Sequence, residues 1–178
     1  MEGVDPMIIG VSGKAQAGKD TVGNYLVANY GFTRTASADA LKRIARNTFK
    51  WDGVKDEKGR RLLQELGCSI RNYNEDFWID ITLAEIVERC KTGQDKNFVI
   101  TDVRFLNEAT RLKNMGAVLI RLERPGIPTY DHISEKELDD YAGFDFKIKN
   151  DSGLEQLYSR IGVIMTDLTE GARDGSST

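Results

Sequence analysis

The stretch "GVSGKAQAGKDT", residues 10–21, is the strongest indication of the fold in this sequence. It follows a short apolar run, "MIIGVS" (7–12), and it precedes a segment with apolar residues at helical spacing. It matches the phosphate-binding pattern G-x-x-x-x-G-K-[ST] through Lys19, but Asp20 comes next and the hydroxyl arrives one position later, at Thr21. Between a strand and a helix, such a glycine-rich turn presents backbone N–H groups to an anion. The stretch therefore predicts a phosphate-binding loop, with a purely structural glycine-rich turn as the alternative.

Strands and helices alternate along the whole chain. Strands are predicted at 7–12, 32–36, 97–101, 117–122 and 144–149, and helices at 19–30, 38–49, 59–67, 77–90, 107–115 and 152–168. This alternation is typical of a parallel sheet covered on both faces, which binds ligands outside the carboxyl ends of its strands. We therefore expect a three-layer α/β/α fold with five parallel strands.

The same pattern predicts one domain over residues 1–168. Within it, residues 124–143 form a long connection between two strands, which is long enough to close over the site as a lid. The polar segment 169–178 is expected to be a disordered tail.

Composition excludes several classes of partner and site. The chain has 178 residues with a formal net charge of −3, so no overall basic charge attracts it to nucleic acid or to an anionic membrane. With two isolated cysteines and a single histidine, His132, neither a zinc site nor Cys–His catalysis is expected. No apolar run reaches the roughly 18 residues needed to span a bilayer, and the short acidic start does not resemble a signal sequence. These features predict a cytoplasmic protein without a membrane partner.

The loop supplies the candidate ATP-binding residues, which are Gly13, Lys14, Ala15, Gln16, Ala17, Gly18, Lys19, Asp20 and Thr21. Lys19 is also a candidate catalytic residue, because its charge can neutralise the outer phosphates. A carboxylate is a hard oxygen ligand, so Asp20 is predicted to lie on the side of a bound Mg²⁺, with helix capping as the alternative. Thr21 lies about 100° further round the helix and cannot simply replace it. Which of the two ligates the metal stays open.

A second group of candidates follows the strand in "FVITDVRF" (98–105). Asp102 is predicted to emerge where the ligand crevice opens, where a carboxylate can orient Mg²⁺ or activate an attacking oxygen. It is therefore a candidate for catalysis, for substrate binding and for the metal. Arg104 offers a planar fork suited to phosphate, so it is a candidate for catalysis and for substrate binding. The alternative for this pair is a salt-bridged strand end.

Several basic residues are further candidates, since a phosphoryl-transfer enzyme must hold two phosphate-bearing partners. Lys42 and Arg71 are candidate substrate-binding residues, and Arg124, at the start of the lid, is a candidate catalytic residue. By contrast, Arg111 is expected to pair with Glu108 at i,i+3 on the surface of a helix. His132 is expected to be a lid contact.

Six motifs occur in an order that resembles the phage-type deoxynucleoside monophosphate kinases of the P-loop kinase superfamily. They are "GKAQAGKDT", "RRLLQELGCSIRN" leading to "DFWI", "VITDVRFLNEA", "RPG", "HISE" and "IKNDSGLEQL", and the resemblance runs from about residue 7 to residue 162. The resemblance implies a P-loop kinase fold and transfer of the γ-phosphate of ATP, with Mg²⁺, to a deoxynucleoside monophosphate. The family also carries G-K-D in the loop, which makes Asp20 a family trait.

By this resemblance, Lys19 contacts the transferred phosphate, Asp102 and Arg104 lie between donor and acceptor, and Arg71 helps to hold the acceptor. Arg124 would belong to the lid. Small-molecule nucleotides are the implied partners, and the implied location is the cytoplasm, that of the host if a phage encodes the chain.

The sequence also departs from the family pattern. Cys68 and Ser69 stand where the family favours Thr and an acidic residue, which leaves the acceptor specificity open. The chain is compact between residues 50 and 59, which leaves open whether a family homodimer is kept.

Two alternatives to the nucleotide kinase remain at this level. One is a P-loop kinase for another small phosphate acceptor, of the phosphomevalonate or dephospho-coenzyme A type. The other is a nucleotide-binding regulatory protein without turnover, which would have no need of a second phosphate site or a lid.

Overall fold

The structure is a computed structural model that describes residues 6–128 and 130–174, with the backbone alone for 171–174. Its strands are β1 (Met7–Gly13), β2 (Thr33–Thr35), β3 (Asn97–Val103), β4 (Val118–Glu123) and β5 (Phe146–Lys149). Its helices are α1 (Lys19–Tyr30), α2 (Ser37–Phe49), α3 (Glu57–Tyr73), α4 (Phe77–Lys91), α5 (Leu106–Asn114) and α6 (Leu154–Asp174). The expected alternation of strands and helices is confirmed.

The five strands form one parallel sheet in the order β2-β3-β1-β4-β5. The central strand β1 is apolar at nearly every position because both of its faces are covered. Ile9 and Val11 point to one face and Ile8 to the other, as the two-residue period of a strand requires. The carboxyl ends of β1 and β3 therefore open at the same edge of the sheet, where the phosphate-binding stretch and "TDVRF" begin.

Helices cover both faces and complete three layers. On one face, Leu26 of α1 and Leu157 of α6 join a buried cluster with the sheet. On the other face, Ile79 and Ile86 of α4 and Leu112 of α5 join a second cluster. The predicted three-layer α/β/α architecture is confirmed, and no helix among the described residues is long and apolar enough to cross a membrane.

Two helices differ from the expectation. Helix α3 continues through Gly67, where the sequence predicted its end, because tertiary contacts outweigh the low helix propensity of glycine: Trp78 of α4 donates to the Gly67 carbonyl at 3.2 Å. Helix α6 continues past residue 168 to Asp174, so residues 169–174 of the expected tail are helical. The rest of that tail, residues 175–178, lies outside the described residues.

Of the predicted lid, residues 124–143, the structure describes all but residue 129, and the described part contains turns and one 3-10 turn, Ile133–Glu135. Leu138 anchors it, since its side chain is buried in the cluster beside α5. The boundary of a single domain at 1–168 stays a prediction.

Candidate active site

The phosphate-binding stretch is a tight loop between β1 and α1. A Cβ at Gly13 would lie 2.8 Å from the carbonyl oxygen of Leu122, so the loop can leave β1 only by passing directly against β4. Gly18 has a φ of 104°, and a Cβ there would lie 2.7 Å from Nδ2 of Asn150. That Asn150 amide donates to the Ala17 carbonyl at 2.9 Å. Both glycines are therefore needed because the loop is held between two neighbouring segments.

Lys19 is the first residue of α1, its side chain reaches back into the loop, and it is 8% exposed. Its Nζ donates to the carbonyl oxygens of Gly13 at 2.7 Å and Lys14 at 2.8 Å. Burial, and then the neighbouring positive charge of Arg104, lower the pKa of Lys19 to about 8. At neutral pH the ammonium still carries its charge, and it is held beside the position where the loop would receive a phosphate.

A carboxylate from the lid occupies part of that position. Oε2 of Glu135 accepts a hydrogen bond from the backbone N–H of Ala15 at 2.7 Å, and Oε1 pairs with the Arg104 guanidinium. The contacts span 120 and 31 residues of sequence, respectively, so no local pattern indicates them. Loop and arginine thus already hold one anionic group between them.

A cavity of about 500 Å³ lies in front of this loop, and we call it the loop cavity. Its walls include the loop residues Ala15, Gln16, Gly18, Lys19, Asp20 and Thr21. Beyond the loop, Arg34, Asp102, Arg104 and Arg124 also line it. Three predicted ATP-binding residues, Gly13, Lys14 and Ala17, are not among the residues that line it, and Lys14 instead pairs with Asp139 of the lid at 3.0 Å.

The predicted metal-side residues meet in the loop cavity. Asp20 is largely exposed and pairs with Arg34 at 3.3 Å, while Thr21 and Asp102 line the same space. Nearby, Oγ1 of Thr101 is buried without a hydrogen-bond partner among the described residues. No group of three or more His, Cys, Asp or Glu side chains in those residues could hold a metal alone. Mg²⁺ usually takes one or two carboxylates together with substrate phosphates and water, and these oxygen-rich walls fit that pattern.

Asp102 forms the inner wall at the carboxyl end of β3. Its Oδ1 accepts from the Ser37 N–H at 3.0 Å and its Oδ2 from the Ala38 N–H at 2.8 Å. These are first-turn amides of α2, which lacks a side-chain cap of its own, so Asp102 caps that helix from 65 residues away. Burial raises the pKa of Asp102, and the two backbone N–H groups with Arg104 oppose that rise. The carboxylate is therefore fixed in orientation.

A second cavity, the inner cavity, lies behind Asp102 and has a volume of about 220 Å³. Its walls are largely apolar, with Leu41, Leu63, Trp78 and Phe105 among them. It shares five lining residues with the loop cavity, which are Ala38, Lys42, Lys55, Asp102 and Arg104. The two cavities are thus neighbours that meet at Asp102 and Arg104.

The remaining predicted residues lie on the walls of these cavities. Arg71 lines the inner cavity, where its guanidinium lies 3.6 Å from the centre of the Phe105 ring. Lys42 lines both cavities and pairs with Asp39 at 2.9 Å. Arg124 donates to the carbonyl of Gln16 at 3.2 Å, on the outer side of the loop.

The pairing expected for Arg111 is wrong. Arg111 instead pairs with Asp76 at 3.0 Å and with Asp80 at 2.6 Å, both on the neighbouring helix α4 or at its start. Glu108 turns inward to the inner cavity and is only 2% exposed. The sequence missed it because an acidic residue in the first turn of a helix usually faces solvent.

His132 connects the lid to α3, as expected of a lid contact. Its Nε2 lies 3.8 Å from Sγ of Cys68, and its Nδ1 accepts from the Ser134 N–H at 3.2 Å. Both residues line the inner cavity, so the position where the sequence departs from the family pattern lies on its wall.

Comparisons with known proteins identify the family to which the chain belongs. A family model described as deoxynucleotide monophosphate kinase matches residues 55–161, more than half of the chain. A protein of Acanthamoeba polyphaga mimivirus, whose name marks it provisionally as a deoxynucleotide monophosphate kinase, is 30% identical over 182 residues, covering 87% of this chain and 94% of the relative. The deoxynucleotide monophosphate kinase of Enterobacteria phage T4 is 33% identical over 105 residues, covering 57% of this chain and 43% of the phage enzyme.

Solved structures share the fold at lower identity. The dephospho-CoA kinase of Campylobacter jejuni superposes with a TM-score of 0.57 at 13% identity, covering 93% of this chain and 98% of that chain. Shikimate kinase of Aquifex aeolicus superposes with a TM-score of 0.52 at 16% identity, covering 93% and 99%. Likeness at this level shows the fold alone and says nothing about the phosphate acceptor. It therefore does not favour the alternative acceptors. The family match is specific: the chain belongs to the deoxynucleotide monophosphate kinase family, and its activity is phosphoryl transfer to a nucleotide.

Proposed function

We propose that the protein transfers the γ-phosphate of ATP, with Mg²⁺, to a deoxynucleoside monophosphate and so forms the diphosphate and ADP. The meeting of the loop cavity and the inner cavity at Asp102 and Arg104 carries this proposal. A kinase of this type must place two phosphates end to end, because positioning and charge stabilisation supply most of its catalysis.

The donor would bind in the loop cavity. The N–H groups of the loop and the start of α1 would receive its phosphates, while Lys19 and Arg124 would neutralise their charge. When bound, Mg²⁺ would supply positive charge that neutralises the negative charge developing during transfer. Asp20, Thr21 and Asp102 are the residues that would hold it or its water ligands. The Glu135 carboxylate would have to leave the Ala15 N–H and Arg104 before a phosphate could take its place.

The acceptor would bind in the inner cavity, with its base against the apolar walls and its phosphate toward Arg104. Arg71 and Lys42 supply further positive charge on that path. An oxygen of the monophosphate attacks the γ-phosphorus, and the bond from that phosphorus to the β–γ bridging oxygen breaks, with ADP as the leaving group. The attacking oxygen belongs to a phosphate that is ionised at neutral pH, so this step requires no protein base. Asp102 would orient Mg²⁺ or its water ligands, and Arg104 would hold the phosphates.

Three finer features belong to the same proposal. The contact of Cys68 with His132 on the wall of the inner cavity supports a role for this position in acceptor choice. The cytoplasm, where ATP and nucleoside monophosphates are found, is the proposed location. A homodimer stays a prediction.

The test is a coupled ADP-release assay at fixed concentrations of ATP and Mg²⁺, with a panel of deoxynucleoside and nucleoside monophosphates as acceptors. We expect turnover that needs both Mg²⁺ and a monophosphate, with a preference for one or more deoxynucleotides. ADP release that does not respond to any monophosphate would contradict the proposal. Activity with dephospho-coenzyme A or phosphomevalonate in its place would favour the alternative acceptors.

A further inference from the structure

Glu108 is a buried carboxylate that the proposed chemistry does not use. It lies in the first turn of α5 and is 2% exposed, yet it lines the inner cavity beside the residues expected to hold the acceptor. Burial of a carboxylate is costly unless hydrogen bonds compensate for the lost water. The compensation comes here from three donors.

Two of these donors belong to the turn between β3 and α5. Oε2 of Glu108 accepts from the N–H of Arg104 at 2.9 Å and from the N–H of Phe105 at 3.2 Å. The Phe105 contact alone is an ordinary N-terminal helix contact, which a Glu at this position often makes. The Arg104 contact goes further, because it fixes the backbone that carries the guanidinium at the junction of the two cavities.

The third donor comes from another helix. Oε1 of Glu108 accepts from the Arg71 guanidinium of α3 at 3.3 Å. The same guanidinium lies over the Phe105 ring at 3.6 Å, and it also donates to the carbonyl of Glu75 at 3.2 Å. Glu108 therefore connects both arginines of the acceptor side, one through its backbone and the other through its side chain.

We infer that Glu108 is a positioning residue for the acceptor: it holds Arg71 and the Arg104 backbone in the geometry that receives the monophosphate. It does not touch the reacting atoms. Its charge orients Arg71, and its hydrogen bond to the Arg104 N–H orients the turn. This inference rests on the proposed function, and it predicts a defect confined to the acceptor half of the site.

The test compares Glu108→Gln with the wild type in steady-state kinetics against the best monophosphate of the panel. Glutamine keeps the length and the oxygen that accepts from the backbone N–H groups, but it loses the charge that pairs with Arg71. We expect KM for the monophosphate to rise about tenfold or more, since a hydrogen bond to a charged group is typically worth at least that factor. KM for ATP should stay within about twofold. Glu108→Asp, which keeps the charge but shortens the reach, should show the same selective rise.

A double variant shows whether Glu108 acts through Arg71. If it does, adding Glu108→Gln to Arg71→Ala should raise KM for the monophosphate by less than it does in the wild-type background. Asp80→Asn is the matched control, because it breaks another carboxylate–arginine pair that reaches α5 but lies outside both cavities. It should leave both KM values unchanged.

The outcomes separate the two proposals. An active wild type with a normal KM for the monophosphate in Glu108→Gln would overturn the positioning role and leave the proposed function standing. Equal rises in both KM values, or full additivity with Arg71→Ala, would likewise overturn it by assigning Glu108 to general structure. A wild type without turnover on any monophosphate would overturn both proposals.

Discussion

Glu108→Gln should make the ligand-free protein more stable at alkaline pH while it impairs acceptor binding. Burial, and then the negative charge of Asp102, raise the pKa of Glu108 from 4.5 to about 7, although the N–H of Arg104 and the charge of Arg71 oppose the rise. A folded-state pKa above the unfolded value means that the folded protein binds more protons between pH 4.5 and 7. The free energy of unfolding therefore falls as the pH rises from 4.5 to 7. Above pH 7 this loss of stability is complete and stays constant.

The magnitude follows from the two pKa values. Each pH unit between them corresponds to about 1.4 kcal/mol, so the ionised carboxylate costs roughly 3 kcal/mol above pH 7. At pH 6 the cost is about 2 kcal/mol, because the carboxyl is then still mostly protonated in the folded state. Glutamine removes this cost but loses the hydrogen bond from Arg71, which is worth roughly 1.5 kcal/mol. The net gain in stability at pH 8.5 is therefore about 1–2 kcal/mol.

Urea unfolding of the two nucleotide-free proteins at pH 6.0 and pH 8.5 measures this difference in stability. The difference in unfolding free energy between Glu108→Gln and the wild type should move in favour of the variant by roughly 1.4 kcal/mol between the two pH values. Asp80→Asn should show no comparable change, because its carboxylate is half exposed. If Glu108→Gln is destabilised by the same amount at both pH values, the carboxyl is not protonated near neutrality and the reasoning fails.

Three further perturbations test the loop cavity. Lys19→Ala should lower kcat by about a thousandfold or more, as expected when several kcal/mol of charge stabilisation is lost, and a folded variant with near-normal turnover in the ADP-release assay would refute this. Glu135→Gln should raise the affinity for ATP about tenfold in calorimetry, because the loop N–H and Arg104 no longer hold a competing carboxylate; unchanged affinity would mean that the carboxylate does not compete with phosphate. Asp20→Asn should bind metal-free ATP as well as or better than the wild type while its Mg²⁺-dependent turnover falls. The same dependence of ATP binding on metal in both proteins would leave Asp20 as a helix-start residue only.

The sequence predicted the parts of the molecule that depend on local patterns. Alternating apolar runs predicted the five parallel strands, and the glycine spacing predicted the loop between β1 and α1, with Lys19 at its end. The predicted end of α3 at Gly67 was wrong because the prediction followed the low helix propensity of glycine alone, whereas the hydrogen bond from Trp78 of α4 supports the helix there.

Contacts between distant residues could not be read from such patterns. Glu135 reaches the loop across 120 residues, Asp102 caps α2 across 65, and Glu108 meets Arg71 across 37. Each is an ordinary acidic residue in the sequence, and only the tertiary fold brings it to the site. In the sequence, an acidic residue at the start of a helix looks the same whether its side chain is half exposed, as that of Asp80 is, or buried at the cavity, as that of Glu108 is.

In the proposed mechanism, a donor and an acceptor phosphate meet at Asp102 and Arg104. Calorimetry with a bisubstrate compound, in which adenosine and a deoxynucleoside are joined by a chain of phosphates, measures whether both are bound at once. We expect one molecule to bind per site, at least about a hundredfold more tightly than ATP or the monophosphate alone, because one binding event contacts both cavities. Both Lys19→Ala and Arg71→Ala should weaken this binding, since they act at opposite ends of the compound. Binding no tighter than that of ATP, with no effect of Arg71→Ala, would contradict this mechanism.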